Sequence, residues 1–393
     1  MMLTVSSSLL FAAFISYLIA TVLFGGAVHG KKEETLSHRR FAKYALLVTL
    51  LGFLLNIGYF VCRWIAVGHA PVSNMFEFTT AFGMFIVGAF FILYKVYRIP
   101  ALGCIALPIT IIIIAYASVF PKDVAPLIPA LKSHWLTIHV LTTVMGEAIL
   151  AISAFSGLVY LLKCTDVFRR SKARFALETI LFTLVVFIGF IGATATFQAM
   201  SYEADFQYVD QQGEQLAITY TMPALVGMHD STALTEDRFE PFIDVPAWVN
   251  GKKVTSVLWA LIYGVILYGV LRLLFRKRLV ALLQPLVQKA DLSTLDEMNY
   301  RAVLIGFPVF TLGALIFAMI WAQEAWSRMW GWDPKEVWAL ITWLYYAAFL
   351  HLRLSKGWEG KKSAWLAVIG FAIIMFNLIA VNLILAGLHS YAG

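Results

Sequence analysis

Apolar runs long enough to cross a lipid bilayer recur along most of this 393-residue chain. A membrane helix needs about 20 mainly apolar residues, and its backbone groups must bond to one another because lipid tails offer no partners. Ten spans are predicted, at about 7–28, 41–67, 76–97, 99–120, 135–162, 175–199, 254–275, 301–321, 336–354 and 364–388. Because only 13% of the residues are charged, a water-soluble globule is excluded. The expected fold class is all-α: a polytopic helical bundle forming a single transmembrane domain over residues 1–393.

The basic residues mostly flank the apolar runs, so the net charge of +7 indicates membrane topology, and no nucleic acid is expected as a partner. With the N-terminus outside, 22 of the 30 Lys and Arg residues fall on the inner side and 8 on the outer side. This bias predicts that both termini lie on the outer side. Lys31 and Lys32 follow the first apolar run and no basic residue precedes Leu9, which is typical of an uncleaved first span.

Two long polar segments separate the spans. Residues 200–253 are predicted to form a long extracytoplasmic loop, in which weak alternation at Gln215–Met222 indicates a short strand. The inner segment Lys277–Tyr300 is interpreted as an amphipathic or loop segment. The three cysteines are far apart and form no CxxC or CxxCH pattern, so they are interpreted as small buried residues.

Six of the chain's 12 tryptophans lie between Trp321 and Trp343, around a predicted extracytoplasmic loop at 321–335. Indole faces pack well against a large, flat, apolar ligand such as a porphyrin. Tryptophan also gathers at membrane interfaces without any ligand, as an aromatic belt. Six tryptophans around one loop favour the ligand platform.

Two helix starts are predicted from capping patterns. Asp333 is expected to act as an N-cap, with Pro334 at the first helical position and Glu336 at the third. Asn74 and Glu77 form the same pattern at the start of the third span. For Asp333, the capping role competes with a direct role in ligand binding.

The segment WSRMWGWDPKEVWALITWLYYAAFLHLRL resembles the tryptophan-rich WWD signature of heme-handling proteins. Among these families it is most similar to the CcsA/ResC type of cytochrome c biogenesis protein. Gly387–Tyr391 (GLHSY) resembles that family's C-terminal histidine motif, Trp135–Val140 (WLTIHV) its earlier histidine segment, and His69–Glu77 (HAPVSNMFE) its N-terminal one. The resemblance extends from about residue 69 to the end and is strongest at 321–353.

The resemblance implies that the protein binds heme b non-covalently, as a substrate or transported ligand. His139 and His389, both predicted near the outer surface, are expected to be axial ligands of an outer heme iron, because heme iron takes axial imidazoles. Arg328 and Lys335 are candidates for contacts with the heme propionates, or are simply solvated charges. The other residues expected to hold this heme are Trp321, Trp326, Trp330, Trp332, Asp333 and Trp338.

His351 is expected to mark a second, inner heme site if it binds heme at all. It lies 17 residues after Pro334, about 25 Å along a helix, whereas two nitrogens on one iron lie only about 4 Å apart. In the resembling family a histidine here binds heme within the membrane, with a second ligand from a partner subunit. A structural histidine beside Arg353 is the competing interpretation.

The fifth predicted span carries a stripe of polar and small residues. His139, Thr143 and Gly146 share one helix face, and Glu147 lies beside them. An intramembrane carboxylate usually faces a cavity or a partner. Glu147 is therefore expected to serve a proton path or heme-linked groups, or to be a neutral acid bonded to another helix.

The function implied by the resemblance is cytochrome c biogenesis: heme is delivered across the membrane and presented for covalent attachment to apocytochrome c on the outer side. The expected partners are apocytochrome c and a second membrane subunit of the ResB/CcsB type. The expected location is the cell membrane, or the thylakoid membrane if the source is a plastid. No catalytic residue is assigned, although the chain could be a component of a heme-ligating synthase complex. A heme exporter without ligation activity and a membrane redox subunit with two hemes remain alternatives.

Overall fold

The computed structural model of the chain describes residues 1–28, 36–123, 132–235 and 238–381. Within them, ten helices are long and apolar enough to cross a membrane, and they correspond one to one with the ten predicted spans. The described part of the chain therefore confirms an all-α polytopic membrane protein. By its internal contacts the chain divides into two compact units, residues 1–177 with the segment from 280 onwards, and Glu178–Leu279. The single-domain organisation stays a prediction, and each unit is described by itself.

Twelve α-helices are present in the described residues. They are α1 (Met2–Val28), α2 (Leu36–Val67), α3 (Met75–Tyr97), α4 (Pro100–Ala117), α5 (His134–Cys164), α6 (Lys172–Ala199), α7 (Gly251–Phe275), α8 (Leu279–Val287), α9 (Leu292–Thr311), α10 (Ala318–Trp326), α11 (Pro334–Lys356) and α12 (Lys361–Phe376). Two π-helical segments extend them: the first π segment (Leu312–Phe317) joins α9 to α10, and the second (Asn377–Val381) follows α12.

The centre of the first unit is α5, which contacts α3, α4, α9 and α12. Its closest approach is to α9 and the first π segment. A Cβ added to Gly146 would lie 2.6 Å from the backbone nitrogen of Phe310, and one added to Gly313 would lie 2.3 Å from that of Thr143. Only glycine allows the backbones to come this close, so these two positions fix how α5 meets its neighbour.

The span that contains α9 is longer than predicted, because it begins at Leu292 instead of near residue 301. Asp291 caps it by accepting hydrogen bonds from the backbone N–H and the hydroxyl of Thr294, both at 2.8 Å. Hydrogen bonds from Ser293 and Thr294 lower the pKa of Asp291 to about 2. Pro308 has no backbone N–H to donate, and the π segment begins four residues after it.

Two ion pairs with low solvent exposure tie helices of the first unit together. Arg63 at the end of α2 donates to Glu77 at the start of α3 at 2.7 Å, and both side chains are at most 4% exposed. Arg353 on α11 makes a bidentate pair with Asp296 on α9, at 2.8 and 2.7 Å. Asn74 caps α3 by accepting from the backbone N–H of Glu77, which confirms that predicted helix start.

The second unit contains most of α6, all of α7, and the polar connection between them. That connection is not purely irregular: it forms β1 (Ala204–Val209), β2 (Gln215–Tyr220), β3 (Val226–Gly227), β4 (Thr232–Ala233) and β5 (Ile243–Asp244). β1 pairs antiparallel with β2 and β4, and β3 pairs parallel with β5. The strand predicted at Gln215–Met222 is confirmed as β2. The other strands are a finding of the structure.

Candidate functional site

A cavity in the first unit brings together α3, α5, α9, both π segments, α10, the loop between α10 and α11, and α11. This loop is shorter than the predicted loop at 321–335, because α10 continues to Trp326 and α11 begins at Pro334. It contains about 820 Å³ of empty space, including the part that is open to solvent. Its wall is mostly apolar, with a few polar side chains. The described polar and charged side chains of the wall are His139, Thr143, Glu147, Lys335, Glu336 and Asn377. An apolar pocket with a few converging polar groups is the usual form of a small-molecule site.

His139 lines this cavity from α5, and two contacts fix its ring. Its Nδ1 lies 2.9 Å from the carbonyl oxygen of Gly313 in the first π segment. A carbonyl oxygen can only accept, so Nδ1 is the donor, and in the neutral ring the lone pair is then on Nε2. A histidine held in this way presents Nε2 as a metal ligand. The His139 ring also stacks on Trp321, with ring centres 5.8 Å apart and an angle of 8° between planes.

The backbone around Gly313 explains why its carbonyl reaches His139. In the π segment the Gly313 carbonyl accepts from the backbone N–H of Ala318, five residues on. The close approach of Gly313 to Thr143 places that carbonyl against α5. π-Helical segments inside longer helices are frequent at functional sites. This contact was not predicted from the sequence, although Pro308 and Gly313 within one apolar span were signals of an irregular helix.

The tryptophans of the WWD segment occupy different environments. Trp321 is buried and lines the cavity, and Trp330 also lines it. Trp326 packs edge-on against Trp321, with ring centres 6.4 Å apart. Trp338 packs against Phe376. Trp326, Trp332 and Trp338 are not among the described residues that line the cavity.

The loop that presents these rings is tightly folded. Trp332 has a φ of 58° and is 69% exposed; this left-handed conformation is uncommon for a bulky residue. Asp333 is buried and caps α11 in a complete capping box, in which Glu336 accepts from the backbone N–H of Asp333. Glu336 also accepts from the N–H of Gly331 at 2.8 Å. The capping role predicted for Asp333 is confirmed, and a direct ligand role for it stays a prediction.

Two titratable side chains from different helices line the cavity. Glu147 on α5 and Lys335 on α11 both line it and interact electrostatically. Glu147 is only 6% exposed. The expectation that this carboxylate faces a cavity or a partner is met by its position. Arg328, the other basic residue of the loop, is exposed and lies over Gly331 instead.

Two other described histidines of the predicted motifs, His351 and His69, lie elsewhere. His351 is exposed near the far end of α11, and it is not among the described residues that line the cavity. His69 forms a local contact with the carbonyl of Ala70. His389 lies outside the described residues. The second π segment lines the cavity through Asn377 and Leu378, and His389 follows further along the same chain.

The wall of the cavity combines side chains that could hold a planar ligand with a metal ion and polar substituents. His139 provides an oriented imidazole, and Trp321 provides an indole face parallel to it. Trp330 contributes an indole N–H that is buried and has no hydrogen-bond partner among the described residues. Within the same residues, no group of three or more His, Cys, Asp or Glu side chains is placed to hold a metal ion.

These features define a class: a membrane protein with ten spans and a tryptophan-lined cavity that contains an oriented histidine. Residues 254–389 match the family described as Cytochrome C assembly protein. Over nearly the whole chain, the sequence is similar to the "Cytochrome c biogenesis protein CcsA" of Prochlorococcus marinus, with 30% identity over 390 residues, 98% of this chain and 93% of the relative. The proteins of the same name from Rippkaea orientalis and Synechocystis are 32% and 31% identical over 84% of this chain and 82% of each relative. The chain belongs to the CcsA family of cytochrome c biogenesis proteins.

Proposed function

We propose that this protein binds heme in the cavity beside the WWD loop and presents it on the outer side of the membrane for covalent attachment to apocytochrome c. The observation that carries the proposal is the placement of His139, which donates from Nδ1 to Gly313 and stacks on Trp321. In this arrangement His139 would bind the metal through Nε2, and Trp321 would support the imidazole ring from one side. Membership of the CcsA family supports the cytochrome c part of the proposal.

The reaction needs little from the protein except positioning. Each heme attachment adds a cysteine thiol across a vinyl group: a sulfur–carbon bond forms, and the thiol proton ends on the neighbouring vinyl carbon. No net oxidation occurs in this addition. The protein must hold the ring still and leave the vinyl edge accessible to the apocytochrome, which converts an encounter of two molecules into a reaction at one site. His139 and the tryptophans that line the cavity would hold the ring.

The remaining parts of the proposal follow from the topology and the family. The positive-inside bias supports an outer location for the WWD loop and for both termini. His389 is proposed as the second axial ligand, and His351 as a ligand of an inner heme site on the route across the membrane. α11 is one uninterrupted helix from Pro334 to Lys356, so about 25 Å of helix lies between its start and His351. A ResB/CcsB-type subunit and a location in the cell or thylakoid membrane complete the proposal.

The test is an absorption spectrum of the purified protein before and after removal of one imidazole. His139→Ala should weaken heme binding by about 10-fold or more and alter the axial-ligand bands, because an open iron position remains. Added imidazole should restore part of the spectrum. His134→Ala is the matched control, since His134 is exposed at the start of the same helix and is not among the described lining residues.

Heme presentation, heme export and a redox role predict different results. If the protein presents heme for attachment, His139→Ala should lower the yield of holocytochrome c together with heme ligation. If the protein is an exporter without ligation activity, the wild-type form should release heme on the outer side without any apocytochrome. If it is a redox subunit, the wild-type form should be purified with two hemes at stoichiometric occupancy. A wild-type spectrum and wild-type cytochrome yield in His139→Ala would contradict the proposal.

A further inference from the structure

The cavity contains a lysine and an unsatisfied donor that the ligation of a metal does not use. Lys335 lies in the first turn of α11 and lines the cavity. Trp330 also lines it, and the indole N–H of Trp330 is buried without a hydrogen-bond partner among the described residues. Buried polar groups in proteins are nearly always hydrogen-bonded, so this donor is available to an acceptor on a ligand.

The acidic side chains of the wall are already engaged. Glu336 accepts from the backbone N–H groups of Gly331 and Asp333, as part of the capping box. Glu147 interacts with Lys335 across the cavity, and Asp333 also contributes negative charge near Lys335. Lys335 therefore lies near protein carboxylates, at the helix end where the α11 dipole also favours anions.

We propose that Lys335 and the Trp330 N–H form a carboxylate-binding subsite, and that Glu147 is the counter-ion which a ligand carboxylate displaces from Lys335. The proposal rests on the proposed function, because the carboxylate it assigns is a propionate of the porphyrin. His139 fixes the centre of the ligand, and a second anchor at one carboxylate fixes its rotation within the ring plane. Rotation decides which edge of the ring faces the outside, and attachment takes place at the vinyl edge.

The test compares two ligands that differ only at the carboxylates. The full-length protein in detergent is titrated with heme and with heme dimethyl ester, whose propionates are neutral, and binding is followed by absorption and by quenching of tryptophan fluorescence. The wild-type protein should bind heme about 10-fold more tightly than the ester, which corresponds to one charge-assisted hydrogen bond. The measured quantity is the ratio of the two affinities, so a general loss of folded protein does not alter it.

Lys335→Met and Glu147→Gln should change the ratio of the two affinities in opposite directions. Lys335→Met should bring the ratio close to one, while Lys335→Arg should preserve most of it. Glu147→Gln should raise the ratio, because the ligand carboxylate no longer competes with a protein carboxylate for Lys335. Arg328→Met is the matched control, since Arg328 is exposed and lies over Gly331. It should leave the ratio unchanged.

The outcomes separate this inference from the proposed function. Equal binding of heme and its ester by the wild-type protein would overturn the carboxylate subsite and leave heme binding intact. A ratio that falls with Arg328→Met and not with Lys335→Met would move the anchor to the loop and overturn the inference. Failure to bind either porphyrin would reject the proposed function, and the subsite with it.

Discussion

The two ends of α11 carry residues of the kind expected at heme sites, but their surroundings differ. At its start, Lys335 lines a cavity that also contains an oriented histidine and two tryptophans. Near its end, His351 is exposed, and the neighbouring Arg353 pairs with Asp296. A histidine with a backbone acceptor and an aromatic partner is prepared for ligation, whereas an exposed histidine needs a partner to become a site. The difference teaches that two histidines from motifs of one family can have unlike surroundings, so a role proposed for either must be judged from its contacts as well as its motif.

Two ion pairs of the first unit also differ in their exposure to solvent. Arg63 and Glu77 are 4% and 1% exposed, and Phe78, next to Glu77, lines the cavity. Arg353 and Asp296 are 11% and 16% exposed. Removing one partner of a buried pair leaves the other charge uncompensated, so the cavity end should depend more strongly on its pair than the far end.

The largest expected effect is therefore at Arg63. Arg63→Met should destabilise the folded protein by about 3–5 kcal/mol, because the Glu77 carboxylate would remain buried without its cation. Arg353→Met should cost less, since its pair is more exposed. The measurement is thermal unfolding in detergent. Arg301→Met is the control, because Arg301 pairs with Glu297 at an exposed position, where such pairs contribute about 1 kcal/mol or less. Equal effects of the Arg63 and Arg301 changes would contradict this comparison.

The sequence predicted the ten spans because hydrophobicity over about 20 residues dominates membrane insertion. It also predicted the caps at Asn74 and Asp333, since a cap involves residues only two or three positions apart. The contact between His139 and Gly313 was not predictable in this way. It joins residues 174 positions apart and depends on a π segment whose geometry no local pattern specifies.

The tryptophans were predicted to form one ligand platform, but only the structure shows which of them line the cavity. Trp321 and Trp330 line the cavity, whereas Trp332 lies on the exposed side of the loop. Spacing along the chain could not separate them, because it does not reveal the left-handed backbone at Trp332. The placement of Glu147 and Lys335 at one cavity was equally hidden, since each residue alone resembles an ordinary membrane or surface charge.

The next largest effect is expected at Gly313, and it tests whether the close contact of Gly313 with α5 orients His139. Gly313→Ala places a Cβ 2.3 Å from the backbone nitrogen of Thr143, so the two segments must move apart. We expect a loss of about 1–3 kcal/mol in stability from overpacking and a shift in the heme spectrum, because the Gly313 carbonyl moves away from His139. Gly269→Ala on α7 is the control, since nothing lies within 4 Å of an added Cβ there. A destabilised variant with an unchanged heme spectrum would limit Gly313 to a packing role.

The smallest effect distinguishes the two aspartates that cap α9 and α11. Asp333 is buried in a capping box beside the cavity, whereas Asp291 is exposed and its pKa is lowered to about 2 by hydrogen bonds from Ser293 and Thr294. A lowered pKa in the folded state means that the ionised cap stabilises the fold above the ordinary pKa of 3.8 and that this contribution is lost as the pH falls towards 2. Asp291→Ala should therefore cost about 1 kcal/mol at pH 7, and the difference from wild type should shrink between pH 4 and 2 in unfolding experiments.

Asp291→Asn supplies the control for this last prediction, because asparagine also caps helices well but does not titrate. Its stability should stay within a few tenths of a kcal/mol of wild type at pH 7 and should not share the loss between pH 4 and 2 that is due to the cap. Heme binding should not change in either variant, since Asp291 begins α9 far along the chain from the cavity residues Phe310 and Ala314. A heme affinity that follows the protonation of Asp291 would show that the two ends are coupled, and the contrast between them would have to be abandoned.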